Sequence, residues 1–392
     1  MSEEKRFNWT VALVLFGVLF LGVSDTQLVA PLLPFIAQDL RTTPGHAGII
    51  VTTYSLAAAV FALFVGPLSD RVGRKKILMS GLALFTIASF LTYHVSSFNA
   101  LVILRAVTGS AAGALSTCAL SFAGDYYPYQ QRGRAMGVLS MGYFVAFVIG
   151  VPAGALAASR LGWHWVFGCL SAAAAAMLVI TFLQLPRDME HARDHKRTAA
   201  FADHFLKRDR LAGVIAAFLT SGGIVGFLTY VGAWLNTSYD MGVERIGLLF
   251  MVSGLAAVIT SPLSGWLADH AGKRNVIVWS NVLLAFLFLI VAKAGVGTGL
   301  VVGIAALSIA ASARQAPLHA LTTEIVGPQI RGEYVAVRNA ASQVGIATVA
   351  TISASAFDRA GFQAVAWIAA ITTILIPICC IWLAEPDKNL QH

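Results

Sequence analysis

The sequence predicts an all-α membrane protein of twelve transmembrane helices, arranged as two six-helix pseudo-symmetric bundles. Three observations carry this. Hydrophobic residues make up 57% of the 392, and charged residues only 12%, against about 25% in a soluble domain. With a mean hydropathy of +0.75, a water-exposed surface cannot be assembled from this inventory. The apolar residues also come in long blocks, such as Trp9 to Phe35, whose single charge is Asp25, then Gly45 to Ser69 and Ile77 to Leu104. A bilayer-spanning helix needs about 20 such residues. Finally, the chain repeats itself: Gly265 begins a second copy of a segment that Gly66 begins, 199 residues earlier.

Helices are the expected spanning element, because hydrocarbon offers no water to unpaired backbone groups. The ten-residue alternating segments of a transmembrane barrel are not evident. The blocks predict α1 over 9–37, α2 over 45–68, α3 over 75–95, α4 over 98–124, α5 over 131–159 and α6 over 162–185. A polar stretch, 186–210, follows as a linker. Then come α7 over 211–235, α8 over 243–267, α9 over 274–294, α10 over 297–325, α11 over 331–357 and α12 over 362–384. The expected units are thus 1–185, the linker 186–210, and 211–392. The first block is too long for a signal-peptide core and lacks a small-residue cleavage site, so it reads as a retained helix. Cys118, Cys169, Cys379 and Cys380 all fall inside apolar blocks without CxxC spacing. They read as packing residues, not as a disulfide framework or a zinc site.

A net charge of +8 invites a nucleic-acid reading, but the placement of the charge opposes it. With the N-terminus in the cytoplasm, inner loops and tails hold 19 Lys and Arg, and outer loops hold five: Arg41, Arg160, Arg245, Lys293 and Arg359. Inner-side excess of this kind orients membrane proteins. It puts both termini and the linker in the cytoplasm of a multi-pass chain in the cell inner membrane.

The repeat is kept at several places without a gap. Gly66-Pro-Leu-Ser-Asp70-Arg-Val-Gly73-Arg74-Lys75 matches Gly265-Trp-Leu-Ala-Asp269-His-Ala-Gly272-Lys273-Arg274. Asp125 falls on Glu324, Arg132-Gly133 on Arg331-Gly332, and Arg160-x-Gly162-Trp163 on Arg359-x-Gly361-Phe362. Such parallel halves are related by an axis along the membrane normal. Gly66 and Gly73 allow tight turns and close helix approach. Asp70, at a helix end, has Arg74 or a helix N-terminus as partner, and Asp125 completes a cluster with them. The matched set is Asp269, Lys273 and Glu324.

These residues resemble a known family. Gly66-Pro-Leu-Ser-Asp70-Arg71-Val-Gly73-Arg74-Lys75-Lys76 is similar to the loop 2–3 motif of the major facilitator superfamily, G-x-L-a-D-r-x-G-r-k-k. Arg105-Ala-Val-Thr-Gly109 resembles its helix 4 motif, R-x-x-q-G. Gly142 through Gly150-Val-Pro152-Ala-Gly154 resembles the antiporter motif of its twelve-helix drug:proton branch. The resemblance covers the whole chain. It implies the major facilitator fold and proton-driven efflux. It also implies that the clusters Asp70/Arg74/Asp125 and Asp269/Lys273/Glu324 latch the halves together in an outward-facing state. The α5 glycines and Pro152 have a packing reading too, since small residues let membrane helices approach closely. Their counterparts, Ala341, Val349, Thr351 and Ser353, do not repeat the motif.

Charges kept at the repeat serve the shared architecture. Four buried in one half only are not required by it: Asp25 aligns with Ile224, Arg105 with Ile304, Arg314 with Leu115 and Arg338 with Leu139. A charge at membrane depth is expensive and marks a wet cavity or a partner. Asp25, the only carboxylate deep in the first half, suits proton coupling together with Arg105; the alternative is a structural ion pair between them. Arg314 and Arg338 make the second half of the cavity positive, which suits an anionic or amphiphilic group. For Arg338 the alternative is snorkelling to the nearby interface. His319 has no assigned role. Tyr54, Tyr143, Phe144, Phe147, Tyr230 and Trp234 are candidates for aromatic cavity walls, with Tyr143, Phe147 and Tyr230 placed in the substrate cavity.

No G-x-x-x-x-G-K-[ST] loop appears, nor a metal cluster, a cofactor motif or a nucleophile triad. The reading is therefore a monomeric secondary transporter, not an enzyme. It exports a small organic or amphiphilic molecule against protons by alternating access. Proton-coupled uptake or facilitated diffusion, and a non-transporting receptor, are the alternatives.

Overall fold

The computed structural model describes residues 7–186, 207–326 and 331–382. The side chains of Tyr129, Asp269, Thr323, Glu324, Arg331, Glu333 and Trp382 lie outside that description. Twelve helices among the described residues are long and apolar enough to cross a membrane. They are α1 Trp9–Asp39, α2 Pro44–Val72, α3 Arg74–Tyr93, α4 Phe98–Tyr126, α5 Gln130–Leu161 and α6 Trp163–Gln184. The second set is α7 Arg208–Tyr239, α8 Val243–Ala268, α9 Lys273–Val291, α10 Thr298–Thr322, α11 Tyr334–Ala360 and α12 Phe362–Ile381. All described regular structure is helical. Residues 187–206 of the expected linker fall outside the described residues.

The sequence repeat is a structural repeat. α2 packs on α4, and α3 on α4 and α6; in the second half α8 packs on α10, and α9 on α10 and α12. Gly73 and Gly272 turn the chain between α2–α3 and α8–α9 with φ of +107° and +85°. Gly162 and Gly361 do the same before α6 and α12, at +94° and +71°. A Cβ strains such a backbone, which is why glycine stands at both copies.

α1 runs further than its prolines suggest. Pro31 and Pro34 lie inside a continuous helix ending at Asp39. Proline frees the carbonyl four residues back, and neighbouring helices in a membrane take up such groups. Pro34 frees the carbonyl of Ala30, and Gly232 of α7 packs there so closely that a Cβ would stand 2.3 Å from that oxygen. In α5, Pro152 has a matching effect. The turn over Ala146–Gly150 widens, and the Val151 N–H donates to the Ala146 carbonyl five residues back. Such bulges occur where the regular ladder is broken.

With every helix crossing once, the α2–α3, α4–α5, α8–α9 and α10–α11 connections share one face with the start of α1. This is the basic face; the remaining connections form the sparse face. The described hydrogen bonds between halves fall toward the sparse face. At the basic ends of α2, α5 and α8, by contrast, Gly66, Gly133, Gly137 and Gly265 have nothing within 4 Å of where a Cβ would sit. The halves are hydrogen-bonded together toward the sparse face, and among the described residues no hydrogen bond joins them at the basic face. Cys118, Cys379 and Cys380 are buried among apolar neighbours, and Cys169 is exposed on α6.

Candidate functional site

Asp25 on α1 and Arg105 on α4 meet. Arg105 Nη1 donates to both carboxylate oxygens, at 2.8 and 2.9 Å, and the two side chains are 0% and 1% exposed. The guanidinium lies over the Tyr54 ring of α2, 4.4 Å from its centroid. Phe167 of α6 approaches at 5.8 Å. Four helices thus converge on the pair, which is dry in this conformation. Arg105 Nε and the Ser24 hydroxyl remain unpaired beside it. Breaking such a buried pair leaves an uncompensated charge, a costly state.

The α5 motif lies against the helix that carries Asp25. Gly142 faces Phe16, Leu19 and Phe20; Gly150 faces Ser24; Gly154 faces Leu28. The other side of α5 meets α8, where Gly247 packs on Ala155 and Pro152, and Gly254 on Phe147. So α5 is clamped between the Asp25 helix and the second half.

The loop cluster forms within the first half. Arg74 Nη2 sits 2.9 Å from Asp70 and 2.8 Å from Asp125, tying the ends of α2, α3 and α4. Its counterparts Asp269 and Glu324 lie outside the described side chains. Lys75, at the end of the same loop motif, donates to the carbonyls of Phe182 and Leu185 at 2.9 and 2.5 Å and caps α6.

The second-half arginines face inward. Arg338 donates to Thr322 Oγ1 at 2.7 Å and to His319 Nδ1. Its guanidinium therefore turns onto α10 and not to the interface, which removes snorkelling. Arg314 bridges Asn281 of α9, at 2.6 Å, and the Thr220 carbonyl of α7, at 3.2 Å. The aromatic candidates separate. Tyr143 is nearly half exposed. Phe147 packs on Gly254 at the seam between halves. Tyr230 is fully buried in this structure, stacked on Phe357 and donating to the Ala350 carbonyl at 3.3 Å.

Sequence reasoning missed Asp358. This carboxylate at the end of α11 accepts from the Thr43 hydroxyl at 2.6 Å and the Gly45 N–H at 3.0 Å, clasping the start of α2 across the seam. Its only sequence signal is a carboxylate opposite a Thr-Pro-Gly helix start.

The family model of the Major Facilitator Superfamily matches residues 15–244 and 214–392. The chain belongs to this superfamily and is a membrane transporter. It is 27% identical to the MFS-type transporter YceJ of Bacillus subtilis (strain 168) over 275 residues, 70% of each chain. It is 27% identical over 270 residues to the purine ribonucleoside efflux pump NepI of Escherichia coli O157:H7, covering 68% of this chain and 67% of NepI. In fold it superposes on a D-xylose-proton symporter with a TM-score of 0.83, at 14% identity, over 97% of this chain and 98% of that one.

Proposed function

We propose that this transporter is a proton-coupled antiporter that exports a small organic or amphiphilic molecule. The basic face is cytoplasmic, so the conformation described is open to the cytoplasm. The single observation that carries the reading is the buried Asp25–Arg105 pair, set on the helix that the α5 antiporter motif grips. Motion of α5 between α1 and α8 gives the pair a mechanical route to the relative movement of the halves. The efflux pump among the relatives supports the direction. Asp25 is the proton carrier, Arg105 holds its charge, and the Arg74 cluster with its second-half counterpart is the conformational latch. The two bundles, 1–185 and 211–392, rock as units about the linker.

The test is transport by purified, monodisperse protein in liposomes under an imposed pH gradient. Candidate substrates include purine ribonucleosides, organic acids and amphiphilic cations. Asp25→Asn is expected to keep exchange of substrate across the membrane and to lose both accumulation and substrate-coupled proton movement. Full gradient-driven accumulation by Asp25→Asn would overturn the proton assignment.

A further inference from the structure

A second polar site lies in the other half, between α7, α10 and α11. It is a cavity of about 40 Å³, lined among others by Thr220, Gln315, His319, Thr322, Arg338 and Ser342. Gln315 and His319 are exposed along it. Arg338, 6% exposed, forms its charged wall. Its two described acceptors, Thr322 Oγ1 and His319 Nδ1, are neutral. An imidazole that accepts at Nδ1 carries its proton on Nε2.

Arg314 stands behind the wall, 1% exposed. Its described acceptors, the Asn281 amide and the Thr220 carbonyl, are neutral as well, and its Nε has no partner. The Thr220 hydroxyl, in the cavity lining and buried, also has none. Among the described residues neither arginine has a carboxylate within ion-pair distance, whereas Arg105 of the first half is matched by Asp25. A buried cation without a counter-charge is costly. A structural tie between α10 and α11 would account for the two hydrogen bonds of Arg338. It would not account for a water-accessible cavity, an unused hydroxyl and two arginines without a counter-charge among the described residues at one place.

We propose that this cavity is an anion subsite, in which Arg338 binds the carboxylate or phosphate group of a small organic acid. Two of the five guanidinium N–H groups are committed to protein, so a fork remains for an oxyanion. The Thr220 hydroxyl adds a donor, and Arg314 adds its field through the wall. The inference names the substrate class of the transport reading and rests on it only for calling the ligand cargo.

Binding is measured by thermal unfolding and by tryptophan fluorescence, using the purified full-length chain in detergent without a pH gradient. The ligands are benzoate against benzamide and glucose 6-phosphate against glucose, with sodium chloride at matched ionic strength. At least one acid is expected to protect in a concentration-dependent way, with its neutral analogue inert. Arg338→Gln weakens acid binding about tenfold or more, and Arg338→Lys restores part of it. Thr220→Val, which keeps the shape, weakens it about threefold and carries the test if Arg338→Gln does not fold. Equal protection by acid and neutral analogue overturns the proposal. So does unchanged acid binding in Arg338→Gln or Thr220→Val, or chloride protection equal to that of the acids, which marks an inorganic-anion site. No outcome depends on proton coupling, so failure here and failure of the Asp25 experiment are separate results.

Discussion

Asp25 and Arg105 show what a residue can disclose before its neighbours are known. The sequence singled out both because the repeat gives them no counterpart. Their contact was not legible, because their relative depth depends on whether α1 continues through Pro31 and Pro34, which it does. The contact has a thermodynamic consequence. Removing one member leaves the other as a buried, unpaired charge or acceptor, at about 3–5 kcal/mol; removing both together is far less damaging. Asp25→Asn and Arg105→Gln are each expected to lower the unfolding temperature in detergent more than the double substitution does. A double substitution that costs as much as the two singles added would mean the pair contributes nothing as a pair. Asp358 was illegible for the opposite reason. It stands next to Arg359, which the repeat had already claimed, and its partners Thr43 and Gly45 are more than 300 residues away.

At the level of the helix, glycine spacing in α4 and α5 was legible, but what each glycine receives was not. Gly109 of α4 faces backbone: a Cβ would stand 2.2 Å from the Tyr54 carbonyl oxygen. Gly154 of α5 faces the end of a leucine side chain, with a Cβ at 2.2 Å from Leu28 Cδ2. A rotamer change relieves the second clash, and only separation of α2 from α4 relieves the first. Gly109→Ala is therefore expected to cost about 1–3 kcal/mol of stability or to abolish folding. Gly154→Ala costs less stability but slows transport, because it thickens the groove in which α1 moves against α5. Comparing detergent melting temperatures with transport rates separates the two, and equal melting temperatures would refute the distinction. The α1 entry is fixed independently. Tyr127, between α4 and α5, donates to the Asn8 carbonyl at 2.5 Å, and burial raises its hydroxyl to about 12. That bond stays protonated throughout the physiological range.

For the whole molecule, the architecture was legible because it rests on hydropathy and a gapless repeat. The conformation was not, because hydropathy and the repeat describe each half and not how the two halves meet. A group biases an equilibrium only by what it contacts differently in the two states. Asp358 meets that condition in the structure itself, since its partners belong to the opposite half and the clasp exists only while the sparse face is closed. For the Arg74 cluster the described ion pairs, from Arg74 to Asp70 and to Asp125, lie within the first half. A latch role requires contacts across the seam that differ between the two states. Opposite predictions follow for the two faces. Losing two charge-assisted hydrogen bonds at a solvent-exposed site is worth about 1–2 kcal/mol. Asp358→Ala is thus expected to move the population about tenfold toward the form open on the sparse face. Asp70→Asn moves it toward the form open on the basic face. Distances between spin labels placed on loops at both faces report the populations. The double substitution should return near the wild-type ratio, because distant sites without shared partners add. If Asp358→Ala leaves the sparse-face distances unchanged, the clasp is ornamental and closure rests on the Gly232–Ala30 and Thr52–Thr351 contacts. If Asp70→Asn leaves the basic-face distances unchanged, the cluster only ties α2, α3 and α4 within one half.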